Sequence, residues 1–533
     1  MSAAAIRAGA PAAASSAGAN PWLIAVLVAF ASFMEVLDTT IANVVLPYIA
    51  GGMGVSDDEA SWVVTTYLVA NAVSLTASPF LARAVGRKAF FLICLALFTA
   101  SSMLCGYAWN LDALLLFRLV QGLGGGMVPL AQSILADAFP PEKRGQGFAL
   151  FGVAVVVAPV VGPILGGWLA DNLSWRWCLM INVPVGMIAF ALIAAVLPAP
   201  KDLAAQRKRL QERGGFDLVG FVLVATFLGA LEVMLDRGLE DDWFASTFIV
   251  DVAVVCSLAF VLMIPWEASR RNPMIDLRMV ATRQFGTCFV VMLATGGILL
   301  ATTQFLPNLV QADFGYTATW AGLVLSPGGV VTMVMMFVVG PLTGKVQPKY
   351  LIVVGAVITA LSMYDLTNLY GDVGFWFFAR SRMLLGLGLP LLFLPIITAS
   401  YEGIPPGQTD QASALLNAAR NTGGSMGISL ANNVLWDRTQ FHQSRLVSQT
   451  IPSTVQYQDT LHQMRNYFVA HGSSLWEAKH QAVQWIGQQV LSQASYLGYM
   501  DVFWVLMVIS LAAIPLALTL RYSKLGRAGP AGH

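Results

Sequence analysis

The sequence predicts an all-α integral membrane protein that has two six-helix halves and two further helices inserted between them. Three observations lead to this fold class. The 533-residue chain is 57% hydrophobic and only 11% charged, whereas soluble domains contain about a quarter charged residues. Its apolar segments are long enough to cross a bilayer, and its second half repeats motifs of its first. The net charge of +1 gives no indication of a nucleic-acid partner.

Fourteen apolar segments are each long enough for the roughly 20 helical residues that span a bilayer. They lie at 22–48, 61–82, 89–108, 113–136, 147–170, 177–197, 217–235, 246–266, 285–307, 319–342, 349–370, 375–399, 412–436 and 500–521. We therefore predict 14 transmembrane helices.

Positive charges concentrate in every second connection between these spans. If the N-terminus is cytoplasmic, the cytoplasmic connections hold Arg83, Arg87, Lys88, Lys143, Arg144, Lys201, Arg207, Lys208, Arg209, Arg213, Arg270, Arg271, Arg278, Arg283, Lys345 and Lys349. The opposite connections hold far fewer basic residues. Because cytoplasmic loops are enriched in Lys and Arg, we expect both termini in the cytoplasm.

Two motifs of the first half recur in the second. Arg118 and Gly122 are matched by Arg382 and Gly386, and a Pro-Pro pair follows each set at a similar distance. A proline four residues before a basic residue also ends both the second and the tenth spans. Parallel halves related by an axis along the membrane normal are a known transporter plan, and the repeat favours that plan.

The predicted organisation follows from the spans and the repeat. It has a disordered cytoplasmic tail at 1–21, an N-terminal six-helix half at 22–200, a basic loop with two inserted helices at 201–284, a C-terminal six-helix half at 285–521 with an outer loop at 437–499, and a cytoplasmic tail at 522–533. Long structureless loops are uncommon in compact folds, so we expect helices in the outer loop. They could form a docking face for a partner or lie on the protein's own outer rim.

The first span has two acidic residues in its middle, Glu35 and Asp38. They are three residues apart, so a helix places both on one face. An ionisable group at this depth costs at least a few kcal/mol unless it faces a partner, a water-filled cavity or a proton path. We therefore predict that Asp38 and Glu35 take part in proton coupling.

An arginine lies at a similar depth in the fourth span. Arg118 is about 9 Å from the outer end of its span, and Asp38 is about 15 Å from that of the first span. A buried arginine beside a carboxylate favours the ionised acid, and loss of the contact favours protonation. A change in helix packing could then load or release a proton. The alternative is a permanent structural ion pair.

The fifth span combines glycines at GxxxG spacing with proline, at Gly162, Pro163, Gly166 and Gly167. Small residues let a neighbouring helix approach closely, and proline introduces a bend. Either close packing or a rocking hinge could use this motif.

Other residues in the spans are candidates for a substrate cavity. They are Asn43, Gln121, Gln304, Phe305, Asn308, Arg382 and Arg420. The two arginines could also form a gate, and ordinary helix packing is the alternative for any one of these residues. Such a cavity should suit hydrophobic, neutral or weakly anionic molecules.

Enzyme motifs are absent or incomplete in the sequence. A Gly-x-Ser-x-Gly pattern at 423–427 resembles a hydrolase motif, but its serine would need a nearby base, and no histidine lies in a predicted span. No nucleotide-binding loop or metal-spaced cluster occurs either. We predict that the protein is not an enzyme, binds no cofactor or metal, and takes its energy from an ion gradient or from the gradient of its substrate.

Four motifs together resemble a known family. They are the run at 33–47 around Asp38, the Arg118-Leu-Val-Gln-Gly segment, the Gly-Pro-x-x-Gly-Gly signature at 162–167 and the run at 175–186. As a set, they resemble the fourteen-helix drug:proton antiporters of the major facilitator superfamily. The resemblance extends over about residues 22–521, and within that family it is greatest to the EmrB-like pumps.

The resemblance implies roles for three of these sites. Asp38 matches the acidic position of the first helix, Arg118 matches the fourth-helix arginine implicated in proton transfer, and the signature at 162–167 matches the antiporter hinge. Glu35 is additional, because many relatives have an uncharged residue there.

One loop departs from the superfamily pattern. Arg83 stands where the superfamily pattern has an aspartate after the second span, so the carboxylate contact that this aspartate makes in relatives is not expected from this position. Asp137, at the cytoplasmic end of the fourth span, is expected to pair with Arg83 or Arg87 instead.

The function that the resemblance implies is proton-coupled export of hydrophobic compounds by alternating access. It also implies location in a bacterial inner membrane and partnership with a periplasmic membrane-fusion adaptor (EmrA-like) and an outer-membrane channel (TolC-like). Two alternatives remain at the level of the sequence. One is a facilitator or exporter of a metabolite, fatty acid or siderophore without proton coupling, and the other is a non-transporting membrane scaffold.

Overall fold

The computed structural model describes residues 20–140, 143–198, 215–270, 273–404 and 408–522. All regular secondary structure in these ranges is helical. The predicted N-terminal tail, most of the basic loop that follows residue 200 and most of the C-terminal tail lie outside the described residues.

The N-terminal half is formed by eight helices that make six passes. They are α1 (Pro21–Met53), α2 (Asp57–Val85), α3 (Arg87–Gly106), α4 (Leu111–Leu123), α5 (Met127–Ala138), α6 (Arg144–Asn172), α7 (Trp175–Met180) and α8 (Asn182–Val196). A 3-10 turn at Gly124–Gly126 joins α4 to α5, and α7 continues into α8 with a break at Ile181.

The inserted pair and the C-terminal half follow. They comprise α9 (Leu218–Arg237), α10 (Thr247–Ser269), the short α11 (Leu277–Val280), α12 (Arg283–Ala312), α13 (Ala318–Leu342), α14 (Pro348–Leu366), α15 (Phe375–Ser400), α16 (Thr409–Gln449), α17 (Val455–Ala470) and α18 (Leu475–Leu518).

Among the described residues, thirteen helices are long and apolar enough to cross a membrane, with Leu111–Ala138 and Trp175–Val196 each taken as one helix. The predicted thirteenth span lies in α16, which is not one of them. Polar residues such as Asn417, Asn421 and Ser425 lower the hydropathy of α16, but they bond to other helices and not to lipid. A polar helix can therefore occupy this place in the bundle because its polar face is turned inward.

Local sequence signals set several helix ends. A capping box of Ser56 and Glu59 begins α2, and a second one of Ser474 and Glu477 begins α18. In each, the serine accepts a backbone N–H of the first turn and the glutamate accepts the serine's own N–H. Gly54 ends α1 with a φ of 67°, a left-handed conformation that favours glycine.

Three consecutive glycines interrupt the fourth pass where it packs on α2 and α3. A Cβ on Gly124 would lie 2.9 Å from the Cys94 carbonyl oxygen, and one on Gly125 would lie 2.0 Å from Asn71 Nδ2. Larger residues would separate these helices. The glycines therefore bring the Asn71 amide close to α4 and α1.

The two halves contact each other along α6 and α13. A Cβ on Gly340 would lie 3.0 Å from Ala149 Cβ, and one on Gly329 would lie 3.0 Å from a methyl group of Val160. Within the N-terminal half, α6 packs equally closely on α1. Movement of α1 can therefore be transmitted to the C-terminal half through α6.

The predicted cytoplasmic ends of the halves are joined by ionic contacts of Arg87. Its guanidinium bonds to Asp137 of α5, and its Nε lies 3.0 Å from Asp410 Oδ1 of α16. It also donates to Thr409 Oγ1 at 3.0 Å. Asp137 thus pairs with Arg87, while Arg83 Nε donates to the Pro79 carbonyl oxygen at 3.0 Å.

The inserted helix α9 contacts both halves. Arg237 donates to Asp58 Oδ1 and to Ser61 Oγ of α2, each at 2.6 Å. On its other side, Glu232 accepts a hydrogen bond of 2.6 Å from Ser425 Oγ of α16. The insertion therefore covers the seam between α2 and α16.

Helices occupy the outer segment at 437–499. Helix α16 continues to Gln449, α17 follows, and α18 runs from Leu475 into the last span without a break. Asp501 of α18 connects to α16 where the outer segment begins. It accepts a hydrogen bond from Arg438 Nε at 2.5 Å and lies 2.9 Å from His442 Nε2.

Close helix packing predicts the effect of one substitution. Gly427 of α16 faces α12, and an added Cβ would lie 2.4 Å from Gly297 Cα. Overpacking of this kind costs about 1–3 kcal/mol, so we expect Gly427→Ala to lower the thermal unfolding temperature of the detergent-purified protein. Gly51→Ala is the matched control, because a Cβ on Gly51 of α1 meets nothing within 4 Å. Equal unfolding temperatures for the two variants would contradict this account.

Candidate functional site

The structure pairs Asp38 of α1 with Arg118 of α4. Arg118 Nη1 donates to Asp38 Oδ2 at 2.7 Å, and the side chains of both residues are 0% exposed. A buried ion pair is stable only when its remaining donors and acceptors are also satisfied. The hydrogen-bond partners around Asp38 and Arg118 therefore determine how stable the pair is.

The second oxygen of Asp38 is held by an amide from α8. Asn182 Nδ2 donates to Asp38 Oδ1 at 2.6 Å and lies 3.2 Å from Ser102 Oγ of α3. The break between α7 and α8 places Asn182 at the start of α8, pointing at α1. Both carboxylate oxygens consequently have a donor, so the site is built for the ionised acid.

The guanidinium of Arg118 has three further partners, and its Nη2 has no hydrogen-bond partner among the described residues. Its Nε donates to the Val63 carbonyl oxygen at 3.2 Å, and its Nη1 donates to Gln121 Oε1 at 2.8 Å. Its charge lies 4.9 Å from the centroid of the Tyr67 ring, within cation–π range. These contacts keep the arginine in place even when Asp38 is neutral.

Glu35 is one helical turn from Asp38 and has a poorer set of donors. Its side chain is 5% exposed. Asn71 Nδ2 of α2 donates to Glu35 Oε1 at 3.0 Å, while Glu35 Oε2 is buried without a partner among the described residues. Glu35 Oε2 therefore accepts no hydrogen bond among the described residues, whereas each carboxylate oxygen of Asp38 accepts one.

A chain of amides leads from Glu35 to the C-terminal half. Asn421 Nδ2 of α16 donates to Asn71 Oδ1 at 3.4 Å. Arg420 donates in turn to Asn421 Oδ1, from Nε at 3.3 Å and from Nη2 at 3.1 Å. The first helix of the N-terminal half is thus connected to a cation on the opposite side of the seam.

The antiporter signature lies where α6 packs on α1, beside Asp38. A Cβ on Gly162 would lie 2.2 Å from Thr40 Oγ1, and one on Gly166 would lie 3.3 Å from a methyl group of Ile41. Gly167 is buried and Pro163 is half-buried inside the continuous helix α6. Close packing is therefore present, and the hinge role remains a prediction.

The residues predicted to line a substrate cavity fall into two groups. Asn43 of α1, Gln304 of α12 and Asn308 of α12 are exposed. Gln121 and Phe305 are buried, and the role of all five in a substrate cavity remains a prediction. Gln121 is bonded to Arg118, and Phe305 is 1% exposed in the core beside Tyr499.

The two arginines predicted for the C-terminal half differ in exposure. Arg420 is half-buried at the seam, whereas Arg382 of α15 is 5% exposed. Arg382 Nε and Nη1 have no hydrogen-bond partner among the described residues. Although Arg382 repeats the sequence position of Arg118, no carboxylate of the described residues forms an ion pair with it.

Three residues of the site were missed as candidates. Asn182, Asn71 and Tyr67 contact the acids or the arginine directly. The two asparagines are uncharged polar residues inside apolar segments, which was an available signal. Tyr67 offered none, because an aromatic residue in a span is usually packing.

Comparisons with known proteins agree with this architecture. The Major Facilitator Superfamily profile matches residues 28–428. The multidrug export protein EmrB of Haemophilus influenzae is 35% identical over 485 residues, covering 90% of this chain and 92% of that protein. The fatty acid resistance protein FarB of Neisseria gonorrhoeae is 34% identical, covering 91% and 93%.

A solved structure shows the same fold. The proton:xylose symporter XylE matches with a TM-score of 0.57 at 12% identity, over 93% of this chain and 96% of that one. The predicted major facilitator fold is confirmed, and so is the resemblance on which it was based. The chain belongs to the Major Facilitator Superfamily and, within it, to the family of the EmrB multidrug export proteins.

Proposed function

We propose that this protein exports hydrophobic compounds from the cytoplasm in exchange for protons, by alternating access of its two halves. The observation that carries the proposal is the fully enclosed Asp38–Arg118 ion pair. The names of the relatives support the substrate class, since one is a multidrug export protein and another a fatty acid resistance protein. The proposed activity is transport without catalysis, driven by the proton gradient without a bound cofactor.

The contacts of Asp38 suggest how a proton would act. Protonation removes the charge that attracts Arg118 and Asn182, while Arg118 keeps the Val63 carbonyl oxygen, Gln121 and Tyr67 as partners. Helix α1 would then be free to shift against α4. Because α6 packs closely on both α1 and α13, it would carry that shift to the C-terminal half.

The ionic contacts of Arg87 would have to separate when the cytoplasmic side opens. Arg87 binds carboxylates from both halves, Asp137 of α5 and Asp410 of α16. Partly exposed ion pairs of this kind contribute little each, so a modest difference in free energy can open or close them. Contacts of this strength suit a cytoplasmic gate that opens and closes once in each transport cycle.

We propose further that the protein lies in a bacterial inner membrane with both termini in the cytoplasm, where it completes a tripartite pump with an EmrA-like adaptor and a TolC-like channel. The excess of Lys and Arg in every second connection supports this orientation. The outer helices support the partnership, because they expose large apolar side chains, among them Val455, Leu475 and Trp476. Large contiguous apolar patches on a protein surface often mark interaction sites.

The central prediction concerns the acid of the ion pair. We expect Asp38→Asn to reduce proton-driven export in proteoliposomes at least about 100-fold, since the variant cannot carry the proton, and a carrier that cannot cycle loses its coupled flux. The measurement is uptake of a hydrophobic dye into inside-out proteoliposomes after an imposed pH step. Asp251→Asn is the matched control, because Asp251 is an exposed carboxylate of α10.

Two outcomes would decide against this mechanism. Uphill export by the Asp38→Asn protein at the normal rate would show that Asp38 does not take part in proton coupling. Export that continues after the proton gradient is collapsed would favour the uncoupled facilitator. Size-exclusion profiles and dye binding of the variant show whether it is folded, since loss of one member of a buried ion pair costs about 3–5 kcal/mol.

A second prediction tests the amide that orients Asp38. Asn182→Ala removes the donor to Asp38 Oδ1, and an unpartnered buried acceptor costs about 1–3 kcal/mol. We expect a fall in export rate of about 10-fold or more, with little change in dye affinity, because the ionised state of the pair becomes less stable. Asn172→Ala is the control, since Asn172 is exposed and bonds only to its own helix. An unchanged export rate would show that Asn182 has only a packing role.

A further inference from the structure

Glu232 of the inserted helix α9 takes no part in the mechanism described above. It is 6% exposed, and its Oε1 accepts a hydrogen bond of 2.6 Å from Ser425 Oγ of α16. No basic side chain of the described residues forms an ion pair with it. An ionised carboxylate without a cation is costly inside an apolar bundle, and a bound proton removes that cost. The position therefore suits an acid that binds a proton.

Three helices pack against α9, and none of their described residues places a cation beside Glu232. The group that acts on Glu232 electrostatically is another acid, Asp236, one turn along the same helix. Helix α16 faces α9 with Ser425, and α10 faces it with Cys256, whose Sγ donates to a backbone carbonyl oxygen of α9 at 3.7 Å. Helix α2 faces it with Thr65, whose hydroxyl donates to Asp236.

The arginines next along α9 and α16 are engaged elsewhere. Arg237, at the end of α9, forms ion pairs with Asp58 of α2 and with two acids of the loop that follows. Arg420 of α16 interacts electrostatically with Glu35 and not with Glu232. A proton is therefore the cation that can neutralise Glu232.

Ser425 can hold Glu232 in either protonation state. A hydroxyl both donates and accepts, unlike the guanidinium and amide donors that hold Asp38. When Glu232 is ionised, Ser425 Oγ donates to it. When Glu232 is protonated, the acid donates to Ser425 Oγ, whose own hydrogen turns to the Asn421 carbonyl oxygen, 3.3 Å away. Protonation thus reverses the hydrogen bond and keeps the contact between α9 and α16.

Polar groups connect Glu232 in both directions along the seam. Asp236 is one turn nearer the predicted outer end of α9 and is half-buried. In the other direction, Asn421 connects through Asn71 to Glu35 of α1. Glu232 thus lies between a partly exposed acid and the buried acids of the first helix.

We propose that Glu232 is a second proton-binding residue of the exporter, which takes up a proton from the outer side through Asp236 and releases it to the cytoplasm in the same cycle as Asp38. The inference rests on the proposed export function and adds to it a coupling residue on the inserted helix. It also gives a role to the serine of the Gly-x-Ser-x-Gly pattern, since Ser425 holds Glu232 in both states. The inserted pair then takes part in coupling and does not only cover the seam.

The experiment measures the proton stoichiometry of the full-length protein in proteoliposomes. A neutral hydrophobic dye is imposed at a series of concentration ratios across the membrane, against a fixed pH gradient and with the membrane potential held at zero. The ratio at which net dye flux vanishes reports the number of exchanged protons, because each proton contributes about 10-fold for every pH unit of the gradient. For a gradient of about one unit, we expect Glu232→Gln to lower this null ratio about 10-fold while export stays coupled.

Two further variants separate proton binding from a structural role. Glu232→Asp keeps the acid, so it should keep the normal null ratio even where its shorter side chain slows export. Asp251→Asn is the matched control, because Asp251 is an exposed carboxylate of α10, the other inserted helix. It should also leave the null ratio unchanged.

A second measurement needs no transport and therefore serves if Glu232→Gln is inactive. Infrared difference spectra of the purified protein, recorded over a pH titration, show the carbonyl stretching bands of carboxylic acids as they gain or lose protons. We expect one of these bands to be absent from Glu232→Gln and present in Asp251→Asn.

Either of two results would overturn the inference. One is the same null ratio for Glu232→Gln and the normal protein, and the other is an infrared difference spectrum that the substitution does not alter. If the normal protein exports the dye against its gradient and Glu232→Gln has the same null ratio, the proposed function stands and the second proton site does not. Absence of proton-driven export by the normal protein would instead count against the proposed function itself.

Discussion

The constraint on which the structure depends is the cost of placing charge in an apolar bundle. Asp38 and Arg118 are wholly enclosed, and every such charge needs a partner because the membrane interior offers no water. The partners come from four different passes, α1, α2, α4 and α8. The pair therefore connects four passes of the N-terminal half, and in the proposed mechanism a proton on Asp38 weakens that connection.

Glycine makes this arrangement possible. The turn at Gly124–Gly126 lets α4 approach α2 and α3, and Gly162 lets α6 approach α1 beside Asp38. Without a Cβ at these positions, backbones come close enough for short side chains such as Asn71 to bridge helices. The same close contacts connect α1 to α13 through α6. Charge burial and mechanical coupling between the halves thus rely on the same small residues.

The pattern of acids and arginines indicated Asp38 and Arg118 but not the side chains that surround them. Asp38 and Arg118 were recognisable because an ionisable residue in an apolar segment is costly. Gln121 was predicted to line a cavity, and the structure shows it bonded to Arg118; Arg382 was predicted for a cavity or a gate, and the structure shows it buried with two nitrogen atoms unpartnered among the described residues. Periodicity gives the helix that carries a residue, but the direction a side chain faces depends on the neighbours that pack against it.

The sequence by itself determined the fold class, the approximate positions of the spans and the acid–arginine pair, because hydropathy and buried charge are properties of single segments. Only the tertiary structure decided which amide satisfies which carboxylate oxygen. It also decided that α16, whose sequence is polar, belongs inside the bundle, and that Glu35 is connected to Arg420 through Asn71 and Asn421. These contacts join residues 36 to 350 positions apart, and their geometry follows from helix packing, which no local pattern encodes.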